Sequence, residues 1–171
     1  MTDEVTVRVC TADDLDVLMT SAATNDVGHR HHLAQWELQI TGQATYLVAW
    51  QGSEPVGRGT VLRTSKYQGV IDALGSAPEI NALEAFTQGQ GIGTKLIAGA
   101  EAIARQDGST FVGIAVETDN DGARRLYDQL GYQDWGGGHV VDVWSEADEH
   151  GKPTVTHHDA CWYLIKGLAG A

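Results

Sequence analysis

Residues Gln88 to Lys95 read Gln-Gly-Gln-Gly-Ile-Gly-Thr-Lys, with Gly89, Gly91 and Gly93 alternating directly ahead of an apolar helical pattern. Glycine permits the dihedrals that turn successive backbone N–H groups toward one point, and it lets a ligand approach the main chain closely. The helix that opens at Ile92 adds the positive end of its dipole. A turn of this kind suits an anion, a phosphate or pyrophosphate above all.

Spacing separates the phosphate motifs to which such a cluster could belong. A Walker A loop needs lysine directly after its last glycine, and Gly93 is followed by Thr94. The dinucleotide fingerprint Gly-x-Gly-x-x-Gly fails too: its last position is Thr94 when counted from Gly89 and Leu96 when counted from Gly91. The pattern Gln/Arg-x-x-Gly-x-Gly/Ala fits Gln88 to Gly93 at every fixed position. A second block follows an apolar strand: Asn120-Asp-Gly-Ala-Arg-Arg-Leu-Tyr127-Asp-Gln-Leu-Gly-Tyr132. In order and separation the two blocks resemble the GNAT family of N-acetyltransferases, whose coenzyme A loop has the first pattern and whose next helix has the second. Only Glu79 to Tyr132 carries motifs, although the order of elements matches the family across nearly the whole chain.

The resemblance implies transfer of an acetyl group from acetyl-CoA directly to a primary amine, with no acyl-enzyme. It implies that the loop Gln88, Gly89, Gln90, Gly91, Ile92, Gly93 and Thr94 binds the cofactor, with the backbone from Gln90 to Thr94 fixing the pyrophosphate. The strand around Leu83, Glu84 and Ala85 would bond the pantetheine arm and offer an N–H to the developing oxyanion. Asn120 matches a cofactor contact, and it is equally placed to cap its own helix. Tyr127 aligns with the general acid that meets the departing thiolate, since a phenol of ordinary pKa near ~10 can give it a proton; a core aromatic is the plain alternative.

Glu79 matches a position where some members keep a general base, with a solvated strand-edge glutamate as its plain alternative. Glu84 is the rival. Five residues apart on a regular strand, the two would face opposite sides and could not both line one cleft. The connection from Ala85 to Gln88 is only Phe86 and Thr87, shorter than in many members. The competing reading from another class is a non-catalytic acyl-CoA-binding module.

The elements that must position these residues are legible from periodicity. Val5 to Val9 alternates as a strand, and Thr11 with Asp14 makes a capping box for a helix carrying Leu15, Leu18, Met19 and Ala22. A second helix is expected from about Arg30 to Thr41, with Leu33, Trp36, Glu37 and Ile40 on one stripe. Thr45 to Trp50 and Pro55 to Arg63 make a hairpin, and Glu79 to Phe86 a further strand. A helix from Ile92 stops at Gly108. Thr110 to Val116 is an apolar strand covered on both faces, and Asn120 caps another helix that Gly131 ends. His139 to Trp144 and Ala160 to Ile165 form a long C-terminal hairpin around a polar loop. The order β α α β β β α β α β β gives an α/β (α+β layered) domain. In the family this means a mixed, mostly antiparallel central sheet flanked by helices, with a C-terminal β-hairpin.

Composition bounds the rest. The 171 residues suit a single domain, 1–171, that can bury roughly 70% of its unfolded surface. The formal net charge is −12 and the sequence pI about 4.7, which disfavours nucleic acid and mildly favours a cationic small-molecule or peptide amine. Cys10 and Cys161 are too few for a disulfide scaffold, so the cytoplasm is the expected location, and both read as buried apolar residues. No apolar run approaches a membrane span, and the first residues, Met1-Thr2-Asp3-Glu4, are acidic where a signal peptide is basic. His29, His31, His32, His157 and His158 have no cysteine or carboxylate at ligand spacing, so no metal is expected. Trp36, Trp135, Trp144 and Trp162 read as core or interface residues, compatible with a homodimer, or as cation–π partners of the acceptor.

Overall fold

A computed structural model describes residues 3–21 and 25–168; Met1, Thr2 and Ala22 therefore lie outside the described residues. The elements run β1 (Val5–Val9), α1 (Ala12–Thr20), α2 (Asp26–Ile40), β2 (Ala44–Gln51), β3 (Glu54–Leu62), α3 (Gln68–Leu74), β4 (Glu79–Ala85), α4 (Ile92–Gln106), β5 (Phe111–Glu117), α5 (Asp121–Gln129), β6 (Gln133–Asp134), β7 (Val140–Ala147) and β8 (Pro153–Gly167). One sheet has the order β1-β2-β3-β4-β5-β8-β6, with β7 paired to β8. Every pairing is antiparallel except β4 with β5. The mixed, mostly antiparallel sheet, the flanking helices and the C-terminal hairpin are those expected.

Alternation along each strand divides the core between two faces. Leu47 and Ala49 of β2, Val61, Ile80, Val112 and Ile114 meet α4 through Ile92, Leu96, Ile97 and Ala100. On the other face, Tyr46, Val48 and Trp50 of β2 meet Leu18 of α1 and Trp36 of α2. Tyr67, Val70, Val140, Cys161 and Tyr163 form a third cluster under α3.

β4 and β5 are registered only at Glu79 with Gly113 and Ile80 with Ile114, and beyond Ile80 they part. The cause is local. Asn81 of β4 pairs with Thr60 and Glu84 pairs with Arg58, so Ala82 and Leu83 together oppose the single residue Gly59. Ala82 has φ 53°, the only non-glycine positive φ among the described residues, and its N–H is satisfied by Asn81 Oδ1 at 2.6 Å. Such a bulge bends its strand and ends regular pairing. On the far side Phe86 N–H still bonds Val56 O at 2.8 Å, so the short connection to the glycine turn leaves the β3–β4 ladder intact.

The structure departs from expectation in four places. α2 begins at Asp26, capped by Asn25, rather than near Arg30. Its buried residue is His32, whereas Leu33 and Ile40 are 48% and 64% exposed, so the apolar stripe is not the packing face. α3 was not expected, and the hairpin strands extend well into the loop foreseen between Ser145 and His157.

Candidate active site

The glycine turn takes up the conformation its composition allows. Gly89 has φ 80° and Gly91 φ 69°, and Gly91 is the N-cap of α4 in the left-handed region. No side chain caps α4, so its first-turn amides are left to whatever enters. The start of the helix is pressed against β3: a Cβ on Gly57 would stand 2.7 Å from Ile92 Cγ2 and 2.9 Å from Glu84 O.

A groove of about 490 Å³ opens at this turn. Gln88, Gly89, Gly91, Ile92, Gly93 and Thr94 form one wall. Leu83 and Ala85 of β4, Asn120 at the cap of α5 and Ala123 within it form the other. Gln90 and Glu84, expected with them, are not on its walls. Leu83, Asn120 and Ala123 also line a second cavity of about 220 Å³ set in the gap between β4 and β5. Tyr127 and Glu79 both line that second cavity. The expected cofactor turn and the two expected proton-transfer residues thus line two neighbouring cavities that share Leu83, Asn120 and Ala123.

Asn120 Oδ1 accepts from Ala123 N at 3.1 Å, so it caps α5 while standing on the walls of both cavities. Tyr127 is 7% exposed, packs on Tyr132 at 6.1 Å between centroids, and has its phenol pushed up to about 12 by burial. It remains protonated throughout any working pH range. The core position and the cavity position are one place.

Glu79 is 1% exposed, so the solvated alternative does not hold. Ser65 Oγ donates to its Oε1 at 2.6 Å, and Lys66 N–H to its Oε2 at 3.4 Å. Burial raises its pKa above the ordinary glutamate value; these donors only partly offset that. The Tyr163 hydroxyl also favours the carboxylate from nearby, though outside hydrogen-bonding geometry. The expectation that Glu79 and Glu84 face opposite sides assumed a regular strand. Their partners Leu62 and Arg58 are four residues apart on β3, so the bulge turns both glutamates to the same face. They still part company, because Glu84 pairs with Arg58 at 2.5 Å and lines a different cavity.

The β4–β5 cavity has members that sequence reasoning missed. Lys66 and Tyr67 reach it from the segment before α3, and Asp142 from β7, where Lys66 and Asp142 form an ion pair. Glu117 stands at the rim, its pKa raised by burial and by Asp159, Asp119 and Asp142. The one sequence signal for Asp142 is its alternation with Val141 and Val143 along the expected strand His139 to Trp144. Cys161 is buried on the same wall with its thiol pushed up to about 11, and Cys10 is buried elsewhere with its thiol at about 12, both chiefly by desolvation. Trp36, Trp135, Trp144 and Trp162 line neither cavity.

The comparisons with known proteins point the same way. The model of the acetyltransferase (GNAT) family matches residues 13–132. Among solved structures, an N-acetyltransferase from Staphylococcus aureus Mu50 superposes with TM-score 0.66 at 13% identity, over 97% of this chain and 99% of that one. The ribosomal-protein-alanine N-acetyltransferase of Brucella melitensis gives 0.62 at 19%, over 95% and 99%. A GNAT family acetyltransferase from Elizabethkingia anophelis with acetyl-CoA bound gives 0.58 at 16%, over 97% and 99%. These identities establish a shared fold and no more. No curated protein sequence matches the chain. Among the described residues no helix is long and apolar enough to cross a membrane. The family match, over more than half the chain and both motif blocks, makes this protein a member of the GNAT acetyltransferase family.

Proposed function

We propose that the protein is an acetyl-CoA-dependent N-acetyltransferase that moves an acetyl group directly to a primary amine of a small molecule or peptide. The observation that carries this reading is that the groove at the uncapped start of α4 shares the wall of Leu83, Asn120 and Ala123 with the cavity lined by Tyr127 and Glu79. The residues present fit the donor: two left-handed glycines, free first-turn amides and an open strand edge beyond Ile80. Bound acetyl-CoA would supply the activated thioester.

The chain's own groups then have defined work. Amides from Gly91 to Thr94 hold the pyrophosphate, and the parted edge of β4 at Leu83 to Ala85 bonds the arm and offers an N–H to the oxyanion. Holding amine and thioester together supplies the proximity term, worth roughly 7–11 kcal/mol in favourable cases. Glu79 takes the ammonium proton, directly or through water. The Tyr127 hydroxyl donates toward the sulfur as charge develops there. A phenol raised to about 12 does not surrender its proton early, so its contribution grows with that charge. Two buried free cysteines suit the reducing cytoplasm in which we place the protein.

Release of free CoA across a panel of amines tests the activity, and silence against every amine would favour a binding module. Glu79→Gln tests the base. Below the pKa of the amine its kcat/KM should fall by about tenfold or more, and the deficit should shrink as pH approaches about 10, where alkylamines begin to lose their proton unaided. An equal deficit at every pH would remove Glu79 from the mechanism. The same variant has a thermodynamic signature. A carboxyl whose folded pKa is raised favours folding while protonated, and that contribution is lost as pH rises through the folded value. Glu79→Gln should therefore gain melting temperature relative to wild type as pH rises above the ordinary glutamate range.

A further inference from the structure

The bulge that parts β4 from β5 has a second consequence. By adding one residue to β4 it turns Glu84 away from α4 and beside Arg58, where Arg58 Nη2 and Glu84 Oε2 meet at 2.5 Å. This pair lies at a cavity of about 430 Å³ whose other wall is the start of α2 with His31 and His32. Val27 and Phe86 give it apolar flanks. Six buried side-chain nitrogen or oxygen atoms lack a hydrogen-bond partner among the described residues, and two of them, Arg58 Nη1 and His31 Nε2, are on residues that line this cavity. The Arg58 side chain is 14% exposed while that of Glu84 is 53% exposed, so the cation is sheltered and its counter-ion is largely in solvent. His32 is accounted for by Tyr46 Oη at 2.7 Å. Burial first, then the charge of Arg58, holds His31 and His32 near pKa 4, so both are neutral at physiological pH.

Buried donors are almost always bonded, and an unused one on a charged group is among the costlier exceptions. The missing partner of Arg58 Nη1 is an oxygen acceptor, and with Nη2 held by Glu84 the remaining arm of the guanidinium suits an oxygen of a second carboxylate. The position says whose. Leu83 and Ala85 line the donor groove, while Glu84 between them lines this cavity. The cavity and the donor groove thus take alternate residues of the same stretch of β4.

We propose that the cavity between α2 and β4 is the recognition subsite of the acceptor, and that Arg58 binds a carboxylate carried by the amine. The inference rests on the acetyltransferase reading and narrows its substrate class to amino acids or short peptides with a free carboxylate, rather than alkyl di- or polyamines. The chain's charge of −12 does not oppose this. An amino acid is neutral overall, and beyond about 8 Å at physiological salt the distant carboxylates are screened while Arg58 is in contact. Val27 and Phe86 would take its apolar portion.

Matched triads decide the matter: phenylalanine, phenylalaninamide and phenethylamine; leucine, leucinamide and isopentylamine; lysine, lysinamide and cadaverine. Binding is read by calorimetry with and without CoA, alongside acetyl transfer. In at least one triad the acid should exceed both its amide and its decarboxylated amine by about tenfold or more, the scale of one charge-assisted hydrogen bond. Arg58→Gln should bring the three level by raising KM for the acid while kcat holds. Arg58→Lys should retain part of the preference, and it serves as the second variant if Arg58→Gln melts early. Glu84→Gln, which removes the competitor for the guanidinium, should tighten the acid. Equal use of acid and amine, an amide as good as its acid, no binding in any triad, or a preference that survives in Arg58→Gln would each overturn the inference. Transfer to amines without such a preference would leave the acetyltransferase reading standing. Failure to bind CoA would strike that reading alone, since the triads on CoA-free protein still report on Arg58.

Discussion

Replacing Tyr127 with phenylalanine is expected to lower kcat by about a hundredfold, the lower range for loss of a general acid, while acetyl-CoA affinity stays near wild type. The substitution removes only an oxygen. The ring contact with Tyr132 at 6.1 Å and the packing of α5 on the apolar core are retained, so the fold should hold. Burial keeps the wild-type phenol protonated to about pH 12, so the deficit should be flat across the working range. That flatness distinguishes it from the pH-dependent deficit of Glu79→Gln. Steady-state kinetics with calorimetry of acetyl-CoA binding checks both halves. Unchanged turnover, or a deficit that appears only in KM, would take Tyr127 out of the chemistry.

The second large effect is on donor binding. Gly91 stands at φ 69° and a Cβ there would meet nothing within 4 Å, so its requirement is conformational rather than one of space. Valine is strongly disfavoured in the left-handed region, by more than the roughly 1–2 kcal/mol typical of an L-residue there. Gly91→Val should therefore shift the turn and the first amides of α4, weakening acetyl-CoA binding by about tenfold or more, with a modest loss of stability. Gly93 is the contrast. Its φ is not positive, and a Cβ there would lie 3.7 Å from Leu126 Cδ2, an ordinary contact. Gly93→Ala should fold as wild type. Equal donor affinity in Gly91→Val and wild type, measured by calorimetry, would mean that the turn is not the anion site.

The parts of the fold legible in the sequence are those where local signals agree. The glycine turn, α4 and α5 combine a cap or breaker with a clean apolar stripe, and β5 is a continuous apolar run. The expected anion turn and Tyr127 sit on these elements, while Glu79 lies on β4. α2 hid its start because Asp26 to His32 is mostly polar, and what it turns inward is buried His32 and half-buried Trp36 rather than Leu33 and Ile40. α3 is seven residues long with no capping side chain, too short to show a period. The bulge at Ala82 leaves no trace in composition, since alanine has no preference for its φ of 53°. Yet it sets the faces of Glu79 and Glu84, and the parity argument failed there. Lys66 and Asp142 come from segments 76 residues apart in the chain, and only tertiary pairing brings them to the cavity.

The claim under all of this is that main-chain amides at the start of α4 grip the diphosphate of coenzyme A. Calorimetric titration with CoA and with pantetheine, followed by amide NMR of the same complexes, addresses it directly. CoA should bind at least about a hundredfold more tightly than pantetheine, with the largest amide shifts at Gly91, Ile92, Gly93 and Thr94. Equal affinities, or shifts confined to other segments, would contradict the account.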